Sequence, residues 1–325
     1  MKQTPKSVNE FSEYLRVVKG RSEKTVFQYR QDLLTFFRYL RATDLNIDPE
    51  KTNISEIDVE DIDIDYIRKI DREKVMKFLF YTANGRKNNA STRARKLSAL
   101  KSYFKYLCVI KRDLEDNPAL EIDAPKKKSA LPKYLSVEES LDLLNAVLTD
   151  ELSKHRQRDY CILTLFLNCG MRLSELVGIN LSDLDKELRS LRVLGKGNKE
   201  RIIYLNDACR EAISAYLPHR AADGEPKDKN ALFISRNHNR VSNQIVQKIV
   251  EKYLKAAGLE NKHFSTHKLR HTAATLIYQS GKVDVRVLKD ILGHEQLNTT
   301  QIYTHISDKS MEDAMAQNPL AKKKI

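Results

Sequence analysis

The sequence predicts a mainly α-helical protein with one small antiparallel β-sheet, split into an N-terminal four-helix domain and a larger C-terminal domain. Three observations carry this. Apolar residues recur at helical spacing through most of the chain. A single pair of β-type runs, residues 191–193 and 202–205, flanks a turn rich in glycine and asparagine. Between the halves, Ala124-Pro125-Lys126-Lys127-Lys128-Ser129 through Pro132-Lys133 is basic and proline-bracketed, as a linker is. The expected division is 1–123, a linker at 124–134, and 135–325, and 325 residues suit two domains.

In the N-terminal part, Ser7-Val8-Asn9-Glu10 has the form of a capping box, and Val8, Phe11, Leu15 and Val18 follow at helical spacing. Ser22 precedes a second helix whose apolar face is Val26, Tyr29, Leu33, Phe37 and Leu40. Asp71 is expected to cap a third, with Val75, Phe78 and Leu79, and Ser91 to open a fourth, with Leu97, Leu100, Phe104 and Leu107. The acidic segment 44–65 separates the second from the third. Its Asp61, Asp63 and Asp65 imitate the start of a calcium loop, but Tyr66 stands where the turn requires glycine, so no metal is expected. A protein-facing surface, or a loop that its charge keeps away from an anionic partner, is the expected role.

In the C-terminal part, Ser136-Val137-Glu138-Glu139 is another capping box, opening a helix with Leu141, Leu144 and Val147. An apolar helix over 159–169 ends at Gly170 and delivers Arg172, with Glu175 three residues on. The β-runs close a hairpin carrying Lys196, Lys199 and Arg201. Leu232, Phe233 and Ile234 are expected to pack on that sheet, and helices resume at Ser242 with Ile245, Ile249 and Leu254. His267 and Arg270 lie three apart in a helical segment, so both emerge on one face about 5–6 Å apart and can grip one anionic group. Leu288, Ile291 and Leu292 form a stripe that stops at Gly293, followed at once by His294. Past Asn298-Thr299-Thr300 a further helical start presents Tyr303. His271 and His305 are read as structural.

The net charge of +13 favours a polyanionic partner. Cys108, Cys161, Cys169 and Cys209 show no CxxC spacing, which points away from a zinc site and from a disulfide framework. No apolar run reaches membrane-spanning length and the N-terminus has no signal-peptide apolar region, so a cytoplasmic location is expected.

The ordered set Arg172, Lys196, His267, Arg270, His294, Tyr303, carried by GMRLSEL, GKGNKER, HKLRH and LGHEQLNTTQIYTH, resembles the tyrosine site-specific recombinases, the Xer and phage-type integrase family, along essentially the whole chain. The resemblance implies an enzyme that exchanges DNA strands through a covalent 3′-phosphotyrosyl intermediate, within a tetramer of protomers. Physical chemistry agrees with the roles it implies. Arginine forks at Arg172 and Arg270 suit the phosphate oxygens on which charge grows. Lys196 as acid for the leaving 5′ oxygen rests on the family correspondence, since Lys199 and Arg201 share the hairpin. His294 suits a donor to the phosphate and His267 either a donor or the base towards Tyr303. Because the tyrosyl ester keeps the energy of the broken bond, no cofactor is implied, and no GxxxxGK[ST] loop is present.

The family's N-terminal domain clamps DNA, which assigns Arg93, Arg95, Lys96 and Lys101 to the phosphate backbone, joined by Lys126, Lys127, Lys199 and Arg201. The terminal segment through Met311, Ala314 and Met315 corresponds to one that the family commonly packs on a neighbouring protomer, folding back on its own domain being the alternative, and an activating partner protein stays open. The acidic segment is longer than this family leads one to expect. Chromosome dimer resolution and mobile-element integration are equally compatible with the length. Competing readings are a type IB topoisomerase, which relaxes DNA without joining two duplexes, and a DNA-binding protein without catalysis.

Overall fold

The computed structural model describes residues 4–125, 133–195, 199–222, 224–262, 264–281 and 283–293. The chain divides into two compact units, Met1–Ser129 and Ala130–Ile325. It is mostly helical, with one two-stranded antiparallel sheet among the described residues.

The first unit is built from α1 (Lys6–Glu13), α2 (Glu23–Asp44), the short α3 (Ile64–Arg68), α4 (Arg72–Asn84) and α5 (Ala90–Lys105). Wide turns prolong α1 through Val18 and α5 through Lys111. The predicted stripes meet in an aromatic core. Phe36 sits edge-on to Phe78 with centroids 5.0 Å apart, and Phe11 edge-on to Tyr103 at 5.4 Å, the T-shaped arrangement that ring quadrupoles favour. Ser22 and Asp71 cap α2 and α4 as expected, accepting from Thr25 N at 3.3 Å and Lys74 N at 2.8 Å.

Two caps differ from expectation. Pro5, lacking an N–H to satisfy, stands immediately before α1 and its carbonyl accepts from Val8 N at 3.0 Å, while Ser7 lies inside the first turn and hydrogen-bonds the Tyr103 hydroxyl at 2.7 Å. Asn89, two residues before Ser91, caps α5 by accepting from Thr92 N at 2.9 Å. The acidic segment is a folded part of its own unit. Ile54, Val59 and Ile62 are buried, Arg38 donates to the Ile57 carbonyl at 3.2 Å, Arg41 pairs with Asp61 and the Tyr66 hydroxyl donates to Asp44. Its alternation of isoleucine or valine with acid therefore puts apolar side chains inward and carboxylates outward.

The second unit contains α6 (Val137–Leu148), α7 (Arg156–Cys169), α8 (Leu173–Gly178), β1 (Ser190–Leu194), β2 (Glu200–Tyr204), α9 (Asp207–Ala222), α10 (Asn243–Ala256), α11 (Thr266–Gln279) and α12 (Val285–Leu292). Helix α7 is apolar nearly all round and is the central element, packed against α6, α9 and α11. The Ser136–Glu139 capping box forms at 3.1 and 3.0 Å. In the hairpin, Arg192 faces Ile202 and Leu194 faces Glu200, with Leu191, Val193 and Ile203 turned to the core. Leu232 and Phe233 share that core, but the backbone of their run pairs elsewhere than the hairpin: Leu232 N donates to Ile179 O and Val241 N to Phe233 O, each at 2.9 Å. No helix of the described residues is long and apolar enough to cross a membrane.

Candidate active site

Four elements meet around one buried carboxylate. Helix α7 ends at Gly170 in the left-handed region, φ 57°, which reverses the chain. Buried Met171 anchors the reversal, and Arg172 becomes the residue preceding α8. Glu175, 2% exposed, reaches back from the first turn of α8. Its Oε2 accepts from the Arg172 backbone N–H at 2.7 Å and its Oε1 from Arg172 Nη1 at 2.7 Å. Arg172 Nη2 donates to the Gly293 carbonyl at 2.9 Å.

Arg270 rises from α11 into the same place, 3% exposed. It donates to the Gly170 carbonyl at 2.8 Å and the Leu292 carbonyl at 2.6 Å, with Nη1 3.8 Å from Glu175. Arg201 enters from β2. Its Nη2 donates to Glu175 Oε2 at 2.9 Å and its Nη1 to the Ile291 carbonyl at 3.3 Å. Three guanidiniums thus surround one carboxylate, leaving a net positive site; the carbonyls of Ile291, Leu292 and Gly293, at the end of α12, accept one bond from each arginine.

Glycine is required at two of these junctions. Gly293 has φ 63°, and a Cβ there would stand 2.7 Å from Arg201 Nε; at Gly170 a Cβ would stand 2.9 Å from a Leu292 methyl. The hairpin is close as well. A Cβ at Gly195 would stand 3.7 Å from Glu175 Oε1, and Gly195 N donates to Lys199 O at 2.8 Å across the tip.

His267 occupies the first turn of α11, its pKa pushed below the usual imidazole value by burial and then by Arg270 and Arg172. His271, read from the sequence as structural, has a partner on the helix. Four residues on, it shares the face of His267, with Nε2 to Nε2 3.0 Å, and burial together with His267 and Arg270 lowers its pKa to about 4. Arg201 loses some of its ordinary basicity to burial, offset by Glu175.

Of the residues the sequence singles out, Arg172, His267 and Arg270 are brought together. Lys196, His294, Tyr303, Lys126 and Lys127 lie outside the described residues. Arg93 and Lys101 are partly exposed on α5, and Lys199 is exposed on the hairpin. Two assignments to DNA phosphate need correction. The Lys96 ammonium is buried against Asp32 at 2.9 Å, and Arg201 is turned inward under Glu175 with its side chain 14% exposed. Arg95 also pairs with Asp32 but keeps a third of its side chain in solvent. Glu175 is the residue whose importance the sequence understates. Its signal was the spacing Arg-x-x-Glu at a helix start, which lets the carboxylate cap the backbone and hold the arginine together.

Comparison with known proteins agrees with this architecture. Residues 133–310 match the Phage integrase family, and residues 8–109 match Phage integrase, N-terminal SAM-like domain. The chain is 45% identical over 317 residues to a tyrosine recombinase XerC of Caldanaerobacter subterraneus subsp. tengcongensis, covering 98% of this chain and 88% of the relative. It is 37% identical to the tyrosine recombinase XerC of Thermodesulfovibrio yellowstonii, with 97% of each chain covered. Among solved structures, the XerH site-specific recombinase bound to difH substrate superposes with a TM-score of 0.69 at 24% identity, over 95% of this chain and 84% of that one, which speaks for the fold. The chain belongs to the phage integrase family and is a tyrosine recombinase, an enzyme that cleaves and rejoins DNA.

Proposed function

We propose that this enzyme recombines DNA at short specific sites, exchanging strands through a 3′-phosphotyrosyl intermediate with Arg172, Lys196, His267, Arg270, His294 and Tyr303 as its catalytic set. The observation that carries the reading is the convergence of Arg172 and Arg270, from separate elements, on Glu175 and on the carbonyls of Leu292 and Gly293. These bonds fix the backbone immediately before His294 and hold two guanidiniums beside His267, with Glu175 as the carboxylate they share. Such fixed donors stabilise the charge that grows on phosphate oxygens during attack without reorganising at that moment.

In the proposed step the Tyr303 hydroxyl oxygen attacks the phosphorus, the bond from phosphorus to the 5′ oxygen breaks, and Lys196 protonates that oxygen. The lowered pKa of His267 keeps its imidazole neutral near pH 7, suiting it to accept the tyrosine proton. His294 donates to a phosphate oxygen. Attack by a 5′ hydroxyl on the tyrosyl ester reverses the sequence and rejoins strands without metal or nucleotide. Four protomers synapse two sites in the cytoplasm, with the segment after Ser307 packed on the neighbouring protomer; an activating protein is a further partner of this reading. Arg93, Arg95, Lys101, Lys126, Lys127 and Lys199 contribute sequence-independent, salt-dependent phosphate contacts.

The test is a nicked duplex carrying the site, incubated without metal or nucleotide. Wild type forms a denaturant-resistant protein–DNA adduct and joins strands between two duplexes, while Tyr303→Phe forms none. An adduct with Tyr303→Phe overturns the nucleophile, and an adduct without joining between duplexes favours simple relaxation.

A further inference from the structure

His267 and His271 lie one turn apart on α11 with side chains on the same face. Their Nε2 atoms are 3.0 Å apart and their ring planes cross at 78°. Two imidazole nitrogens that bind one metal ion at about 2.0–2.1 Å stand roughly 2.9 Å apart for a right angle at the metal, and roughly 3.4 Å apart for a tetrahedral one. The pair already has a separation in that range, so rotation of the rings that turns both lone pairs towards one point lets a metal ion replace the hydrogen bond between them. Helix α11 holds both residues in its regular turns, and the Thr272 hydroxyl beside them ties it to Leu135 N at 3.0 Å.

The charges nearby decide which ions can enter. Arg270 and Arg172 both bear on His267, so a cation held mainly by charge is disfavoured here. Magnesium and calcium prefer oxygen ligands and gain little from two imidazoles. Zinc, nickel and cupric ions bind imidazole strongly enough to tolerate the neighbouring guanidiniums, which Glu175 and the backbone carbonyls already engage.

We propose that His267 and His271 form a two-imidazole site for a divalent zinc, nickel or cupric ion, and that the bound ion withdraws His267 from the cleavage reaction. The ion is an inhibitor, not a cofactor. Binding stands on the geometry alone; the inhibition rests on the role given to His267 in the proposed function.

The experiment titrates the full chain with ZnCl2 by calorimetry, comparing wild type, His271→Gln and His271→Ala. Glutamine still hydrogen-bonds His267 but does not complete the chelate. Wild type binds one ion that both variants bind at least about tenfold more weakly, with unchanged melting temperatures showing that the helix is intact. Adduct formation on the nicked duplex is then followed with and without zinc, each protein's own metal-free rate serving as reference. Zinc slows wild type about tenfold, a chelator restores the rate, His271→Gln resists, and magnesium slows neither. Equal zinc affinity in wild type and both variants overturns the site. Zinc inhibition that persists unchanged in His271→Gln, or zinc binding that leaves the rate unaltered, overturns the inhibitory role. Absence of any adduct from wild type in metal-free buffer counts against the proposed function, while the calorimetry still decides the metal site.

Discussion

Each of the two units buries one carboxylate beneath several cations, and the two arrangements have opposite consequences. In the first unit Asp32, 3% exposed, accepts from Lys96 and Arg95, and Lys96 is itself buried. Burial lowers the Lys96 pKa while Asp32 opposes the shift, so the pair is closed on itself. In the second unit Glu175 meets Arg172, Arg201 and Arg270, and Arg172 keeps 33% of its side chain in solvent. One carboxylate cannot neutralise three guanidiniums. The first arrangement uses its charges to tie α2 to α5; the second organises positive charge and leaves it available.

The largest expected effect breaks the first arrangement. Asp32→Ala leaves the Lys96 ammonium buried without a counter-charge and should cost about 3–5 kcal/mol of stability, read as a lower denaturation midpoint. The cleavage rate of the folded protein should stay within about twofold, since a surface-like outcome for the site is expected when the two carboxylates are independent. A stability loss under 1 kcal/mol would mean that Lys96 reaches water easily and that its correction as a phosphate contact is unwarranted.

Glu175→Gln attacks the second arrangement. The amide keeps one acceptor, but its NH2 group faces guanidinium donors, so Arg172 and Arg201 lose their anchor. Single-turnover adduct formation should fall by about 10²–10³, comparable to loss of one oxyanion donor, with a smaller change in DNA affinity. Wild-type cleavage by Glu175→Gln would reduce Glu175 to a packing residue.

Arg201→Met sharpens the same comparison by removing a cation that points inward. Its bonds to Glu175 and to the Ile291 carbonyl link the hairpin to the end of α12. About a tenfold loss of cleavage is expected, in keeping with slight misplacement of catalytic groups, and without the reduced salt dependence that loss of a phosphate contact produces. Equal cleavage with a reduced salt slope would return Arg201 to the DNA-contacting set.

How far the sequence discloses this follows from the same residues. The helices were legible because long apolar stripes have one period whatever they pack against, and α7 because its apolar run ends at a glycine. Arg172, His267 and Arg270 were legible from ordered motifs. Caps were less so, because Pro5 and Ser7, or Asn89 and Ser91, compete within two positions and only packing chooses. The direction of Lys96 and Arg201 was not legible at all. A basic residue on a helix or strand turns inward only when a distant carboxylate meets it, and Asp32 lies 64 residues from Lys96. The pairing of His267 with His271, by contrast, was present in the spacing of four, which puts both rings on one helix face.

The smallest effect concerns that pair and acidity. His271 has its pKa lowered from its ordinary 6.5 to about 4 by burial, His267 and Arg270. The folded protein therefore holds His271 neutral where the unfolded chain has already taken up a proton, so its contribution to stability is present above about pH 6.5 and is lost as the pH falls towards 4. His267, shifted in the same direction, adds to the slope. His271→Gln removes one of the two titrations and lets His267 charge with less repulsion. Melting temperatures measured between pH 7 and pH 4 should fall less steeply in the variant, with the two proteins closest to parallel above pH 6.5. Identical slopes would mean that His271 takes up its proton in the folded state as readily as in the unfolded one, and that the neighbouring guanidiniums of the second unit do not reach it.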